Sequence, residues 1–297
     1  MKKEDICCVI ITYNIGKEFY KCYDSIKNQV DYVIIVDNGS DKETIDVLNK
    51  IKVDTNTNVI FNNDNYGIAK ALNIGVRDAI TRGYSWILTM DNDSQAQFDM
   101  IDVMIKTYNN INEIEKNKIV GMSPNFFDRK YLSNVEYNVN NLSYSYEDVV
   151  ITSGNLLKKE VFDTIGFFNE EYFIDYVDIE FCLRIFEKGE KIIQVNNAIL
   201  NHQIGDGSKH KIFNKTFTAS NHSALRRYYI TRNSLDVYKK YKHLNIHATN
   251  DIKRQLAKSS IKIILVEDNK IQKIKYILKG IQDYKLSKFG KFKGKAV

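Results

Sequence analysis

Apolar and polar positions alternate in blocks along the first hundred residues. A continuous apolar run over 6–11 stops at Thr12-Tyr13-Asn14, and a helix-like stretch near 18–28 separates it from a second run over 32–36. That second run stops at Asp37-Asn38-Gly39-Ser40. Helical spacing follows over 41–51, where Ser40 and Glu43, three positions apart, have the form of a capping box. A strand over 59–61, a helix over 68–81 and a strand over 86–90 continue the alternation. Short runs that are apolar throughout and separated by helices predict strands buried on both faces, in a mainly parallel sheet with helices on each side. Ligands of such sheets bind beyond the carboxyl ends of the strands. Here every such end is polar.

The pattern then loosens. Residues 109–147 are less regular and hold the single proline, Pro124. Val149-Val150-Ile151 leads into Thr152-Ser153-Gly154-Asn155 and a helix expected from about Lys158. An aromatic and acidic stretch over 167–177 runs into a helix over 178–188, and a last strand over 192–200 precedes His202. From about Thr216 the spacing is helical and basic. We therefore expect an α/β domain over 1–215, followed by a helical basic appendage over 216–297.

Charge sharpens that division. The formal net charge of +6 hides 23 basic against 32 acidic residues over 1–214, and 20 against 5 over 215–297. Such an excess suggests an anionic partner. Ile271, Ile274, Ile277, Leu278 and Ile281 share one helical arc, with Lys273, Lys275 and Lys279 outside it and Lys285, Lys288, Lys291, Lys293 and Lys295 beyond. An apolar stripe flanked by lysines fits peripheral contact with an anionic membrane, and the stripe alone fits packing against the domain equally well. No reader motif for nucleic acid accompanies the basic segment. No apolar run reaches the ~18 residues a spanning helix needs, and no signal-peptide pattern follows Met1. Cys7, Cys8, Cys22 and Cys182 lack metal-ligand spacing and read as buried free thiols, as in a reducing cytoplasm.

Asp91-Asn92-Asp93 closes the strand over 86–90. Two carboxylates at that spacing can face one hard cation, or form a plain turn. An EF-hand loop is disfavoured, since Ala96 stands where its glycine belongs. The glycine loops that usually cradle phosphates are absent: Gly205-Asp206-Gly207 is followed by His210 in place of a third glycine. A diphosphate could then be held through a metal.

Five segments in order carry a resemblance. Thr12-Tyr13-Asn14, Val36-Asp37-Asn38-Gly39-Ser40, the run from Asn65 through Gly67 and Asn73 to Gly75, Asp91-Asn92-Asp93, and Phe173-Ile174-Asp175-Tyr176-Val177-Asp178 with Glu180 and Arg184 resemble the large inverting GT-A glycosyltransferase family. Asn201-His202 resembles its late metal ligand. His202 with Gly205-Asp206, and Arg226-Arg227-Tyr228-Tyr229 with Arg232-Asn233, look most like its bacterial rhamnosyltransferases. The likeness spans about 6–235.

It implies a GT-A fold with a nucleotide-sugar half near 1–95 and an acceptor half near 96–215. It further implies a dTDP- or UDP-sugar donor, Mg²⁺ or Mn²⁺, and a saccharide or lipid-linked acceptor at the inner face of the cell membrane. Thr12, Tyr13, Asn14, Asp37, Asn38, Asn65, Gly67, Asn73, Asp91 and Asn92 would meet the donor, with either Asp37 or Asn38 at the base. Asp91, Asp93 and His202 would hold the metal. Asp178 would be the general base with Asp175 as runner-up, and Glu180 would orient it. An Asp178 that capped the helix instead would have a low pKa. Arg184, Arg226, Arg227 and Arg232 would face acceptor or diphosphate oxygens. Rival readings are a UDP-hexose donor, a sugar-1-phosphate nucleotidylyltransferase, whose glycine-rich first loop is missing, and an inactive nucleotide-sugar-binding or lipid-docking subunit.

Overall fold

The computed structural model describes residues 1–127, 143–201, 208–212, 215–219 and 221–294. Its elements run β1 (Ile6–Thr12), α1 (Phe19–Ile26), β2 (Tyr32–Asp37), α2 (Lys42–Ile51), β3 (Thr57–Phe61), α3 (Ile68–Thr81) and β4 (Trp86–Asp91). There follow β5 (Gln95–Ala96), α4 (Met100–Asn110), α5 (Glu113–Lys116), β6 (Ile119–Phe127), β7 (Tyr144–Glu147), β8 (Asn155–Lys158) and α6 (Glu160–Thr164). The chain continues through α7 (Val177–Glu187), β9 (Lys191–Asn201), β10 (Ser208–Ile212), β11 (Lys215–Ala219), α8 (Ala224–Tyr241), α9 (His247–Val266) and α10 (Lys270–Lys285).

Nine strands form one sheet in the order β3-β2-β1-β4-β8-β6-β9-β5, with β7 also on β9. The β3-β2-β1-β4 half is parallel, as the continuous apolar runs predict, and Thr12 pairs with Asp37 at its carboxyl edge. The other half is mixed, since β8 lies antiparallel to both β4 and β6 while β6 and β9 run parallel. The helix expected from about Lys158 is α6, which starts at Glu160; what the pattern does not reveal is strand β8 just before it, whose Leu156 and Leu157 are fully buried between β4 and β6. Four residues are too few to tell strand from helix by periodicity. Likewise the helical pattern expected from Thr216 begins at Ala224, after the hairpin of β10 and β11.

Apolar clusters sit on both faces of the sheet. One joins Cys8, Ile10, Phe19, Leu48, Leu88 and Met104. The other joins Val9, Ile34, Leu72, Val76, Leu157 and Phe181 to Val237 and Tyr241 of α8 and Ile252 of α9. The C-terminal helices therefore share a core with the sheet. All four cysteines are free and buried.

Helix α10 packs on α8 with Lys273, Tyr276, Gly280 and Asp283 buried, while Ile277 and Ile281 of the expected stripe are only partly buried and Ile271, Ile274 and Leu278 are exposed. Ile271 and Leu278 are 75% and 60% exposed. Lys273 is buried against Glu267, which also pairs with Arg227, so one carboxylate ties α8 to α10. Beyond α10 the chain doubles back. Gly290 N donates to Glu171 O at 2.8 Å, Phe292 N to the Tyr229 hydroxyl at 2.7 Å, and Lys291 pairs with Asp64 at 2.9 Å.

Candidate active site

The carboxyl edge of the parallel strands is built by short polar loops that brace one another. Asp37 is buried at the end of β2, where Oδ1 accepts from the Thr12 hydroxyl at 3.1 Å and Oδ2 from the amides of Gly39 and Ser40 at 3.2 and 3.0 Å. Asn14, left-handed at φ 50°, bonds Ser40 Oγ through its amide and accepts from Asp41 N. The cap of α2 is accordingly Asp41, which accepts from Thr44 N, and Ser40 is spent on Asn14. Asn38 donates to Asn65 Oδ1 and Gly67 O, and accepts from Tyr66 N, knitting β2 to the loop before α3. Gly67 is required there. Its φ is +89°, and a Cβ would lie 2.5 Å from Phe173 O.

These loops surround a cavity of about 390 Å³ lined by Tyr13, Asn38, Asn65, Gly67, Asp91, Asn92, Asp93, Phe173 and Arg226 among others. Tyr13 is 47% exposed and offers a flat ring to a base. Thr12, Asn14 and Asp37 do not line it but hold the loops that do, which puts Asn38 rather than Asp37 on the cavity wall. Asn73 is placed elsewhere. It is buried in α3, its amide donating to Phe168 O and Glu170 while its oxygen accepts from Phe168 N, so the expected donor contact is corrected to a staple between α3 and the following loop.

Asp91 and Asp93 flank the turn after β4. Asp91 N is held by Ser153 Oγ, itself bonded to Ser94 Oγ at 2.7 Å. Burial, with these two carboxylates adding, pushes the nearby Cys22 thiol up. Two hard oxygen donors on one turn beside the cavity suit Mg²⁺ or Mn²⁺. His202, the expected third ligand, lies outside the described residues.

A second cavity, of about 460 Å³, adjoins the first and shares Ile68, Asp91, Ile174 and Arg226 with it. Its floor is the loop entering α7. Asp175 and Tyr176 are both left-handed, at φ 63° and 67°, a conformation costly for residues with side chains and commonest at functional sites. Asn233 of α8 holds them by donating to Ile174 O and Asp175 O. Asp175 pairs with Arg226 at 3.1 Å, and burial outweighs that pairing to raise its carboxyl.

Asp178 lies in the first turn of α7, but Tyr176 is the capping position, and Asp178 accepts from its neighbour Ile179 N at 2.8 Å. Burial, with repulsion from Asp175, pushes its carboxyl up to about 6 against that hydrogen bond. The alternative of a helix-capping carboxylate with a lowered pKa is thus not what the structure shows; the carboxyl is raised by burial.

Three further expectations are corrected by contacts. Glu180 is buried between Arg184 and the Tyr241 hydroxyl and does not orient Asp178. Arg184 is used up by Glu180, Ile165 O and Phe167 O. Arg232 is fully buried, donates to Glu171 O and Gly290 O, and sits about 5 Å from the rings of Tyr228, Tyr229 and Phe289, out of reach of any diphosphate. Arg227 borders the second cavity but is committed to Glu267 and Ser259. Of the described arginines, only Arg226 lines both cavities. The residues that sequence reasoning missed are His222, Gln255 and Ser259 on the wall of the second cavity. No spacing signal marks them, because α8 and α9 bring them in from beyond the matched segments.

Residues 7–166 match the profile of glycosyl transferase family 2. The chain is 32% identical over 285 residues to the dTDP-rhamnosyl transferase RfbF of Shigella flexneri, covering 91% of this chain and 92% of that one. Among solved structures it resembles the mannosyltransferase PcManGT from Pyrobaculum calidifontis in complex with GDP-Man and Mn²⁺, with TM-score 0.57, 12% identity, and 97% of this chain and 76% of that chain covered. It also resembles S. aureus TarS 1-349, with TM-score 0.55, 12% identity, and 94% and 80% covered. For GalNAc-T7 with UDP, GalNAc and Mn²⁺ the TM-score is 0.54 at 13% identity; 86% of this chain is covered, but only 57% of that one. At these identities the structural likenesses establish the fold, which is GT-A.

Proposed function

The chain belongs to glycosyl transferase family 2, and from that premise we propose that it catalyses inverting transfer of L-rhamnose from dTDP-rhamnose to a saccharide of a surface polysaccharide or its lipid-linked precursor. The observation that carries the reaction is the meeting of the two cavities at Asp91 and Arg226. One holds the residue types that grip a nucleoside diphosphate, and the other holds an available carboxylate. An anomeric carbon at the junction would face Asp178 on one side. The donor identity rests on the likeness to the Shigella flexneri protein.

In the reaction, the acceptor hydroxyl oxygen bonds to the anomeric carbon from the face opposite the diphosphate. The bond from that carbon to the diphosphate oxygen breaks, its electron pair leaves with dTDP, and the hydroxyl proton passes to Asp178. Tyr13 would stack on the base, and Asn38 and Asn65 would shape the nucleoside pocket. Arg226, already at the shared edge, would meet the leaving diphosphate with its guanidinium fork. Asp91 and Asp93 would hold a divalent cation, which when bound neutralises charge on the departing diphosphate.

Peripheral contact with an anionic membrane belongs to the same proposal. Ile261, Ile264 and Leu265 of α9 and Ile271, Ile274 and Leu278 of α10 are exposed, in the segment that holds the positive excess. Among the described residues no helix is long and apolar enough to cross a membrane.

The test is release of nucleoside diphosphate from a panel of dTDP-rhamnose, UDP-glucose and UDP-galactose, with and without chelator. We expect preference for dTDP-rhamnose, loss of transfer in chelator and recovery with Mg²⁺ or Mn²⁺. A clear UDP-hexose preference would refute the donor assignment. Turnover of no donor, with nucleotide-sugar binding retained, would favour a non-catalytic subunit.

A further inference from the structure

We propose that the wall contributed to the second cavity by α8 and α9 is the subsite for the acceptor saccharide, and that His222 positions the sugar there through its hydroxyls. The inference rests on the glycosyl-transfer reading above and names what recognises the second substrate.

The cavity brings together unlike groups. Asp175 and Asp178 line it, and so do His222, Arg226, Ile230, Gln255, Leu256 and Ser259. Gln255 and Ser259 stand one helical turn apart on α9, with Leu256 beside them and Ile230 contributed by α8. Polar groups interleaved with aliphatic ones match a pyranose, whose rim carries hydroxyls and whose faces carry C–H groups.

Within this wall His222 has a distinct chemical capacity. Asp178 as a base can only accept, and arginine can only donate, whereas a neutral imidazole offers one donor and one acceptor. A sugar hydroxyl likewise does both. The ring is half-buried and makes no hydrogen bond to another described side chain or backbone group. It is held neutral because burial pushes its pKa down to about 4, with Arg226, Arg227 and Lys273 adding and Glu267 opposing. Its backbone is pinned on both sides. Asn221 bonds Asp268 and Lys273, and Ser223 caps α8 by accepting from Arg226 N. A pinned, neutral, two-way hydrogen-bonding group in the same cavity as the base would hold a hydroxyl neighbouring the one that attacks. It would thereby fix which hydroxyl meets Asp178. His222 takes no proton in this scheme; the proton still goes to Asp178.

The experiment compares wild type, His222→Ala and His222→Gln. The acceptor is whichever octyl glycoside of rhamnose, glucose or N-acetylglucosamine the wild type glycosylates best. Loss of one or two such hydrogen bonds should raise acceptor KM about tenfold in His222→Ala. Donor KM and the slow release of dTDP without acceptor should stay at wild-type values. His222→Gln keeps a donor and an acceptor near the outer ring nitrogen and should recover part of the loss. Unchanged acceptor KM in both variants, or an equal rise in donor KM, would overturn the inference while leaving the transfer reading intact. Failure of the wild type to glycosylate any acceptor, despite releasing dTDP, would instead overturn the transfer reading and this inference with it.

Discussion

At Asp178 two requirements compete, since a base must be ionised to work but also basic enough to take a proton. A carboxyl raised to about 6 meets both near neutral pH. Because the deprotonated form is the active one, kcat/KM should fall about tenfold per pH unit below 6 and level off above it. Asp178→Asn should lower transfer by about 10²–10⁴-fold with little change in donor affinity. Stability has the opposite sign. A folded-state pKa above the unfolded value means that ionising Asp178 costs folding free energy as pH rises from about 4 through 6. The asparagine variant should therefore melt no lower than wild type at pH 8. A lower melting temperature without selective loss of turnover would mark Asp178 as structural, and near-normal turnover beside an inactive Asp175→Asn would move the base. Sequence reasoning singled out Asp178, Asp91, Asp93 and Arg226, and these line the two adjoining cavities because strand ends and helix starts converge on one edge of the sheet. It misassigned Asn73, Glu180, Arg184 and Arg232 because residue type does not reveal the partner. Arg232 carries the same fork as Arg226, yet three aromatic rings and two carbonyls enclose it.

The elements of the parallel half were legible, since long apolar runs between helices have few alternative packings. The mixed half was less so, for β8 is only four residues long and its antiparallel direction comes from its neighbours β4 and β6. Helix α10 shows a different limit. Periodicity identifies which residues share a face but not which face is covered, and here Ile271, Ile274 and Leu278 look outward. The covered face depends on Gly280, where a Cβ would lie 2.8 Å from Tyr228 O and 3.3 Å from Thr231 Cβ. Backbone cannot yield as a flexible side chain can, so Gly280→Ala should push α10 off α8. We expect a loss of about 1–3 kcal/mol, read as a lower melting temperature, despite alanine's better helix propensity. A variant as stable as wild type would mean that the two helices are not closely seated.

Across the whole molecule, charge and exposed apolar surface coincide on the C-terminal helices. Each lysine near an anionic surface is worth about 1 kcal/mol, and the isoleucines add burial in the headgroup region. Replacing Ile271, Ile274 and Leu278 by serine should reduce sedimentation with phosphatidylglycerol vesicles while leaving the melting temperature unchanged, because none of the three faces α8. Raised salt should weaken the remaining binding by screening. Salt-insensitive sedimentation unaffected by the substitutions would reduce the lysines to a solvated surface. The doubled-back segment after α10 has a further consequence, one of timing. Lys291 grips Asp64 beside the first cavity, and Gly290 grips Glu171 near the loop entering α7, although both partners are synthesised more than a hundred residues earlier. At about 5–20 residues per second, a ribosome exposes those loops for several seconds before their brace exists. A nascent chain can thus fold its sheet early, but the loops at Asp64 and Glu171 are clasped only once residues 290–292 have left the exit tunnel.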